Sequence, residues 1–439
     1  MKKSIFLFSY NPVPTPDYPR VEGSGLRTWY LAMTLKRLGV EDITIAIWKD
    51  FPQKINHVDG IKLLNFSDNP KLLKKLTKKS NIIILNASMS ALTSTIIDSI
   101  NTDALLIVDA ISPTYIEYTV NSLNEDADNK LRKFYFLNTH HFNNALVKGD
   151  LLLVANENQK HLYTGVISAL GAILGYEENR FIKIPAFVPK DKNTHNKEVS
   201  EKIKILWFGG LYPWYDIKEL IGAFSNKKLK SKAQLTVVGG FNPFYPKEDK
   251  RFNGGYLQAL KLAKELDLIK DNTVQFLDWV DFKERLEIFN KHDIAISINN
   301  PSSENIYSFR IGVSDLIGHG LPVITNGGDY LGEWLISKGV AFRVNSLGKK
   351  QLIKDLNRII EDKISIQKAR ILLKEELFDE IHLDKYMEKL IAAINSYELP
   401  SRRKYESPYF QGLDNKIKRV NEKSQQKLSR RIKCPLTYR

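Results

Sequence analysis

The stretch from Pro301 to Asp329, PSSENIYSFRIGVSDLIGHGLPVITNGGD, sets Glu304, a Ser-Phe-Arg at Ser308, Phe309 and Arg310, and Asp315 among apolar residues. Charges of both signs inside a segment that reads as buried helix and strand cost free energy unless they pair or meet a ligand. Ser308 suits an N-cap. Phe309, Val313, Leu316 and Ile317 then recur at i, i+4, i+7 and i+8, which makes one buried stripe of a helix over 309–318. Arg310 falls in its first turn, where a cation and the helix dipole disfavour each other. The same position suits a guanidinium that grips a diphosphate, because its planar fork matches phosphate oxygens. A salt bridge of Arg310 with Glu304 or Asp315 is the competing reading.

Two further segments put glycines where a chain can approach a ligand. EGSGLRTWYLAMTLKRLG, from Glu22, places Gly23, Ser24 and Gly25 just before an amphipathic helix. Free N–H groups and a positive dipole end attract phosphate at such a start. Close packing of helix and strand explains the glycines equally well. A nicotinamide fingerprint is not met, since Tyr10 to Glu22, with four prolines, separates the glycines from the first strand and Thr28 stands at the third glycine position. ILWFGGLYPWYDIKELIGAF, from Ile205, follows a strand with Gly209 and Gly210 and crowds Tyr212, Trp214 and Tyr215 into one loop, with Lys218 beyond. Aromatic rings there can stack a base or sugar, or pack on their own domain. Asp109 ends an apolar strand, where a side chain faces either a cleft or the core. His140 and His141 lack acidic or cysteine partners at metal spacing, so no metal is expected.

The elements that must position these residues alternate in βαβ rhythm. Strands are expected at 4–9, 43–48, 61–64, 81–86, 105–109 and 151–155, with helices over 25–38, 91–100, 128–147 and 159–170. After a polar interruption at 190–202 the rhythm restarts with strands at 203–208, 235–238, 274–276, 294–298 and 322–325. Helices are expected over 217–224, 255–266, 282–290 and 309–318, and a last one over 377–397. This pattern reads as α/β, two doubly wound Rossmann-like domains in tandem: 1–189, a 190–202 linker, 203–376, a closing helix at 377–397 and a basic tail at 398–439. Ligands of such folds bind in the crevice outside the strands' carboxyl ends.

Bulk properties narrow the class. The chain has 439 residues, 43% of them hydrophobic, and no apolar run long enough for a membrane span. Cys434 is the single cysteine, so no disulfide framework forms within one chain and a cytoplasmic setting is expected. The net charge is +15, but the segment from Ser401 onward holds 12 basic and three acidic residues and accounts for +9. The globular part is only mildly basic, which argues against a nucleic-acid partner. The tail reads as a solvated extension or as a contact for anionic lipid at the inner face of a membrane.

Taken together, these segments resemble family 4 glycosyltransferases of GT-B fold, over nearly the whole chain to about Tyr397. SENIYSFRIGVSDLIGHGLPVITNGGD resembles the donor-site segment in which two acidic residues flank a helix start before Gly-x-Pro-Val-Ile, in a divergent branch reading Glu, a short gap, Ser-Phe-Arg and then Asp. LLLVANENQKHLYTGVISALG resembles the last strand and helix of the N-terminal domain. The resemblance implies transfer of a sugar, with retention and without a metal or other cofactor, from a nucleoside diphosphate-sugar to a hydroxyl on a glycan or lipid-linked glycan. It implies that Asp315 holds the donor ribose and Glu304 the donor sugar, since the usual position of the first Glu falls at Tyr307. Gly23, Ser24 and Gly25 match the glycine loop on the phosphate side. The family's diphosphate-holding Arg and Lys are replaced by Gly210 and Tyr215, so the resemblance leaves that job to Arg310, with Lys218 second. Asp109 is expected at the wall where the family has a histidine, while Gly209, Gly210, Tyr212, Ser308 and Phe309 line the donor side. A nucleotide-sugar epimerase on the same fold and a non-catalytic nucleotide-sugar-binding subunit are the alternatives.

Overall fold

The computed structural model describes residues 4–100, 103–117, 129–171, 180–190, 198–212, 215 and 217–397. Most of the linker, Trp214 and the whole 398–439 tail lie outside the described residues.

The N-terminal lobe is built on β1 (Ser4–Ser9), β2 (Asp42–Trp48), β3 (His57–Val58), β4 (Ile61–Phe66), β5 (Ile82–Asn86), β6 (Leu105–Asp109), β7 (Leu151–Val154) and β8 (Phe181–Lys183). Their order is β3-β4-β2-β1-β5-β6-β7-β8, parallel except for the β3–β4 pair. A parallel sheet is covered by helices on both faces, so its strands are apolar throughout rather than alternating. Ile83, Ile84 and Leu85 are all buried.

The C-terminal lobe repeats the plan with β9 (Ile203–Phe208), β10 (Ala233–Val238), β11 (Val274–Leu277), β12 (Ile294–Ser297), β13 (Val323–Thr325) and β14 (Ala341–Arg343). The order is β11-β10-β9-β12-β13-β14, all parallel. Strand order reverses beside β1 in one sheet and between β9 and β12 in the other, and a crevice opens at such switch points. The segments after β1, β9 and β12 are the three singled out in the sequence.

Several elements lie outside the expected set: the short strands β8 and β14 and the helices Pro70–Thr77, Tyr330–Ser337, Lys349–Glu361 and Lys363–Glu375. The closing helix runs over Asp384–Ser396 rather than from Leu377, because the chain turns first and His382 bridges to Val188.

The lobes pack against each other. Phe187, at the end of the first lobe, meets Phe309 edge-on at 5.4 Å and Tyr386 at 5.7 Å. The Phe282 N–H donates to the Pro19 carbonyl at 2.7 Å, and Arg20 pairs with Asp281 at 3.1 Å. The Asp384–Ser396 helix returns to the N-terminal lobe, where Asp384 pairs with Arg37. Among the described residues no helix is long and apolar enough to cross a membrane.

Candidate active site

Two helices from opposite lobes aim their N-termini at the same place. The Gly23–Arg37 helix follows β1 with Glu22 at its N-cap, and the Ile311–Gly318 helix follows β12 with Arg310 at its N-cap. Neither cap residue's side chain bonds the first-turn N–H groups. A Cβ on Gly23 would lie 3.3 Å from Ile311 Cδ1, so the two helix starts nearly touch. Orphan N–H groups and two positive dipole ends therefore converge between the lobes.

The helix start differs from the sequence expectation. Ser302 caps a short Ser303–Tyr307 helix, Ser308 closes it, Phe309 and Arg310 connect, and the next helix begins at Ile311. Ser308 is not an N-cap because its hydroxyl is committed to Glu304. Phe309 leaves the helix to pack on Phe187.

Arg310 is buried and paired. Its two terminal nitrogens donate to Glu304 Oε1 and Oε2, both at 2.7 Å, and one also reaches Asn305 Oδ1 at 3.2 Å. Its guanidinium lies 5.4 Å from the Tyr215 ring centroid. The salt bridge weighed in the sequence is therefore present, with Glu304 and not Asp315. The segment that carries the pair meets the other lobe, where Asn158 and Gln159 donate to the Ile306 and Tyr307 carbonyls at 3.0 and 2.8 Å.

Asp315 is engaged elsewhere. Its Oδ1 accepts from Tyr30 of the first lobe at 3.1 Å and its Oδ2 from Arg285 Nε at 2.9 Å. The first bond crosses between the lobes and the second lies within the C-terminal lobe, at the position where the resemblance implies a ribose-holding carboxylate. Asp109 is paired too. It sits 2% exposed and receives Arg27 Nε at 3.1 Å and Nη2 at 3.3 Å. Arg27 completes itself on the carbonyls of Ile184 and Pro185. This is a buried ion pair within the N-terminal lobe, the structural alternative that the sequence left open for Asp109.

The glycine segments have mixed reasons. A Cβ on Gly25 would fall 2.0 Å from the Pro12 carbonyl oxygen, so that glycine is required by close packing. Ser24 Oγ accepts from Asn11 at 2.6 Å. Gly209 holds φ +120, which turns the chain sharply after β9. Beside it, Gly210 lies under the Tyr212 ring, where a Cβ would come within 2.9 Å of the ring carbons. Tyr212 and Tyr215 stand 6.5 Å apart, centroid to centroid. Lys218 is exposed on the first turn of the Ile217–Ala223 helix.

Four residues that the sequence reading did not assign complete the site. Glu22 Oε1 accepts from Asn242 of the other lobe at 2.7 Å, and its Oε2 from Asn11 at 3.2 Å. Burial pushes the Glu22 carboxyl up to about 7, against the Asn242 bond that lowers it. Glu117, in the short helical stretch 114–117 after β6, is pushed up to about 7 by burial and by Glu304, with Arg310 opposing. Asp329, N-cap of the Tyr330–Ser337 helix, is raised by burial, with Gly332 and Arg310 opposing and Glu304 adding. Glu22, in EGSG, and Asp329, at the end of the 301–329 stretch, sat inside segments already singled out, whereas Glu117 and Asn242 carry no local signal. Among the described residues no group of three or more His, Cys, Asp or Glu side chains is placed to hold a metal.

No family model matches the sequence, and no curated protein matches it. Solved structures do match in fold. Sucrose-phosphate synthase (tll1590) from Thermosynechococcus elongatus aligns with TM-score 0.63 at 14% identity, over 90% of this chain and 100% of that one. HepE (Alr3699) of Anabaena, in complex with UDP and glucose, aligns with TM-score 0.59 at 12% identity, over 90% and 100%. WaaG, a glycosyltransferase involved in lipopolysaccharide biosynthesis, aligns with TM-score 0.58 at 12% identity over the same shares. The chain has the GT-B fold, two Rossmann-like lobes facing across a cleft.

Proposed function

We propose that this protein is a glycosyltransferase that moves a sugar from a nucleoside diphosphate-sugar to a hydroxyl acceptor. The observation that carries the reading is the meeting of two helix N-termini without side-chain caps, from opposite lobes, beside Arg310. Dipole ends and N–H groups there favour a diphosphate. They would also stabilise the charge that builds on it as it leaves. HepE, of the same fold, was crystallised with UDP and glucose, which supports this ligand class.

In the proposed reaction Tyr212 and Tyr215 offer faces for the nucleotide, and Glu304 and Asn305 hold the sugar's hydroxyls. Arg310 meets the diphosphate by sharing its guanidinium with Glu304 or by turning away from it. Retention of configuration and independence from a metal belong to the proposal through the family resemblance alone. A surface polysaccharide or lipid-linked glycan acceptor at a cytoplasmic membrane face completes it, with the basic tail on anionic lipid. Removing 404–439 then abolishes sedimentation with phosphatidylserine vesicles at low salt. Unchanged sedimentation removes the membrane part.

Calorimetry and thermal shift with UDP and a set of UDP-, GDP- and ADP-sugars test the core of the reading, since a ligand bound to the native state raises its melting temperature. Binding followed by nucleotide release in the presence of glycan acceptors supports transfer. Conversion of the donor sugar with no acceptor present favours an epimerase, and binding with no turnover favours a non-catalytic subunit. The replacement of the family's diphosphate-binding cations by Gly210 and Tyr215, together with the paired state of Arg310, is the observation behind that last reading.

A further inference from the structure

A pocket of about 410 Å³ opens between the Glu157–Ala169 helix of the N-terminal lobe and the Tyr330–Ser337 helix of the other. Its volume lies within the roughly 300–1,000 Å³ that small-molecule sites span, and such sites favour the seams between domains. Tyr330, Trp334 and Ser337 fall at i, i+4 and i+7 of one helix and line the pocket from a single face. Asn158 lines it from the N-terminal lobe, where its Nδ2 donates to the Ile306 carbonyl at 3.0 Å. One side chain ties this wall to the Glu304–Arg310 pair. Asn305 Nδ2 donates to the Gly327 carbonyl at 3.3 Å, and its Oδ1 accepts from Arg310 at 3.2 Å. A Cβ on Gly328, which lines the pocket, would lie 2.8 Å from the same Nδ2.

The lining suits an uncharged ligand rich in hydroxyls. Its charged residues are both carboxylates, Asp329 and Glu333, and both are held in place. Asp329 Oδ1 accepts from the Gly332 N–H at 2.8 Å, Glu333 Oε1 from the Gly328 N–H at 2.8 Å, and Glu333 Oε2 from Arg343. A phosphate seated here would meet these carboxylates with no cation in the wall to offset its desolvation. Three polar groups are left over. Among the described residues no hydrogen bond takes the Tyr330 hydroxyl, the Trp334 indole N–H or Asn158 Oδ1. A pyranose presents C–H groups that pack on aromatic rings and a rim of hydroxyls that both donate and accept, which matches a phenol, an indole and an amide.

We propose that this pocket is a subsite for an uncharged sugar residue of the acceptor glycan. The inference rests on the glycosyl-transfer reading above and adds the chemistry of the acceptor to it. In that reading Glu304 and Asn305 hold the donor sugar, so a residue seated against Gly328 lies one side chain away from it. Asn158 belongs to one lobe and Trp334 to the other, so a sugar held here also bridges the lobes.

The test uses the full chain, with maltose, cellobiose, lactose and chitobiose as probes and UDP as a separate ligand. Saturation-transfer NMR and equilibrium dialysis follow binding to the unaltered protein, Tyr330→Phe and Ser337→Trp, and circular dichroism checks the fold of each. Ser337 is exposed on the last turn of its helix, so a large side chain there fills the pocket without entering the core. The unaltered protein should bind at least one of the disaccharides. Tyr330→Phe should weaken that binding about three- to tenfold through loss of one hydrogen bond. Ser337→Trp should abolish it, while both variants keep UDP affinity within about threefold of the unaltered protein. Tyr330→Phe, which removes a single oxygen atom, decides the matter if Ser337→Trp does not fold. Absence of disaccharide binding by the unaltered protein overturns the proposal, as does binding that neither variant weakens. Parallel loss of UDP and disaccharide binding makes the pocket part of the nucleotide site and overturns it too. Disaccharide binding by a protein that binds neither UDP nor any nucleotide sugar is the separate failure of the transfer reading, and it takes the acceptor role with it.

Discussion

A carboxyl in this protein acts according to what surrounds it, and the chain carries four cases within one region. Glu304 is neutralised by Arg310, Asp109 by Arg27, Asp315 by Arg285 and Tyr30, while Glu117 has no such partner among the described residues. The difference has a measurable sign. Glu117 titrates at about 7 in the fold against 4.5 when exposed. Its contribution to stability is therefore full below pH 4.5 and is lost as pH rises through 7. Glu117→Gln, which never ionises, should match the parent in unfolding free energy at acid pH and exceed it by about 1–3 kcal/mol at pH 8, discounted for the carboxyl's partial exposure to solvent. Denaturant melts at the two pH values read this directly. Asp109→Asn should behave in the opposite way, costing about 3–5 kcal/mol because it strands a buried Arg27. Loss of turnover with unchanged stability would instead return Asp109 to the site. Sequence alone raised the Glu304–Arg310 pair, whose members are six residues apart, but not the others, because their partners lie farther along the chain: 82 residues for Asp109 and 285 for Tyr30 with Asp315.

At the scale of elements, the parallel strands were legible because each is an apolar run that must be buried on both faces. The strands β1, β6 and β9 match their expected bounds to the residue. Helix starts were harder. Ser308 has the right chemistry for a cap, but its hydroxyl is drawn to Glu304, and the start moves to Ile311. The glycine at 25 shows how an element is aimed. Gly25→Ala would drive a methyl into the Pro12 carbonyl and displace the N-terminus of the Gly23–Arg37 helix. The expected result is a stability loss of about 1–3 kcal/mol, from overpacking, together with weaker UDP binding. Gly165→Ala is the control. That glycine is exposed on the Glu157–Ala169 helix with nothing within 4 Å of its added carbon. Alanine there should add about 0.8–1 kcal/mol through helix propensity and leave UDP affinity unchanged.

At the scale of the molecule, the two lobes are joined by buried polar contacts as well as by apolar packing. Tyr30, Asp315 and Arg285 form one clamp, and Glu22 with Asn242 forms another at the cleft. Asp315→Asn leaves Arg285 charged and buried without its counterion. It should cost about 3–5 kcal/mol in unfolding experiments and lower the cooperativity between lobes, with UDP affinity little changed. If the variant instead keeps its stability and loses nucleotide affinity, Asp315 holds ribose and the clamp is incidental.

The amino-acid order by itself determined the α/β rhythm, the two sheets and the three loops that face the cleft, since these follow from local runs of apolar residues and glycines at strand ends. It also placed most of the excess positive charge in the segment after Ser401. Which acidic side chains are spent on structure and which remain available was decided only by the tertiary fold. Burial and pairing are set by neighbours from the other end of the chain or the other lobe, and a carboxyl's charge and basicity depend on those neighbours rather than on its own place in the sequence.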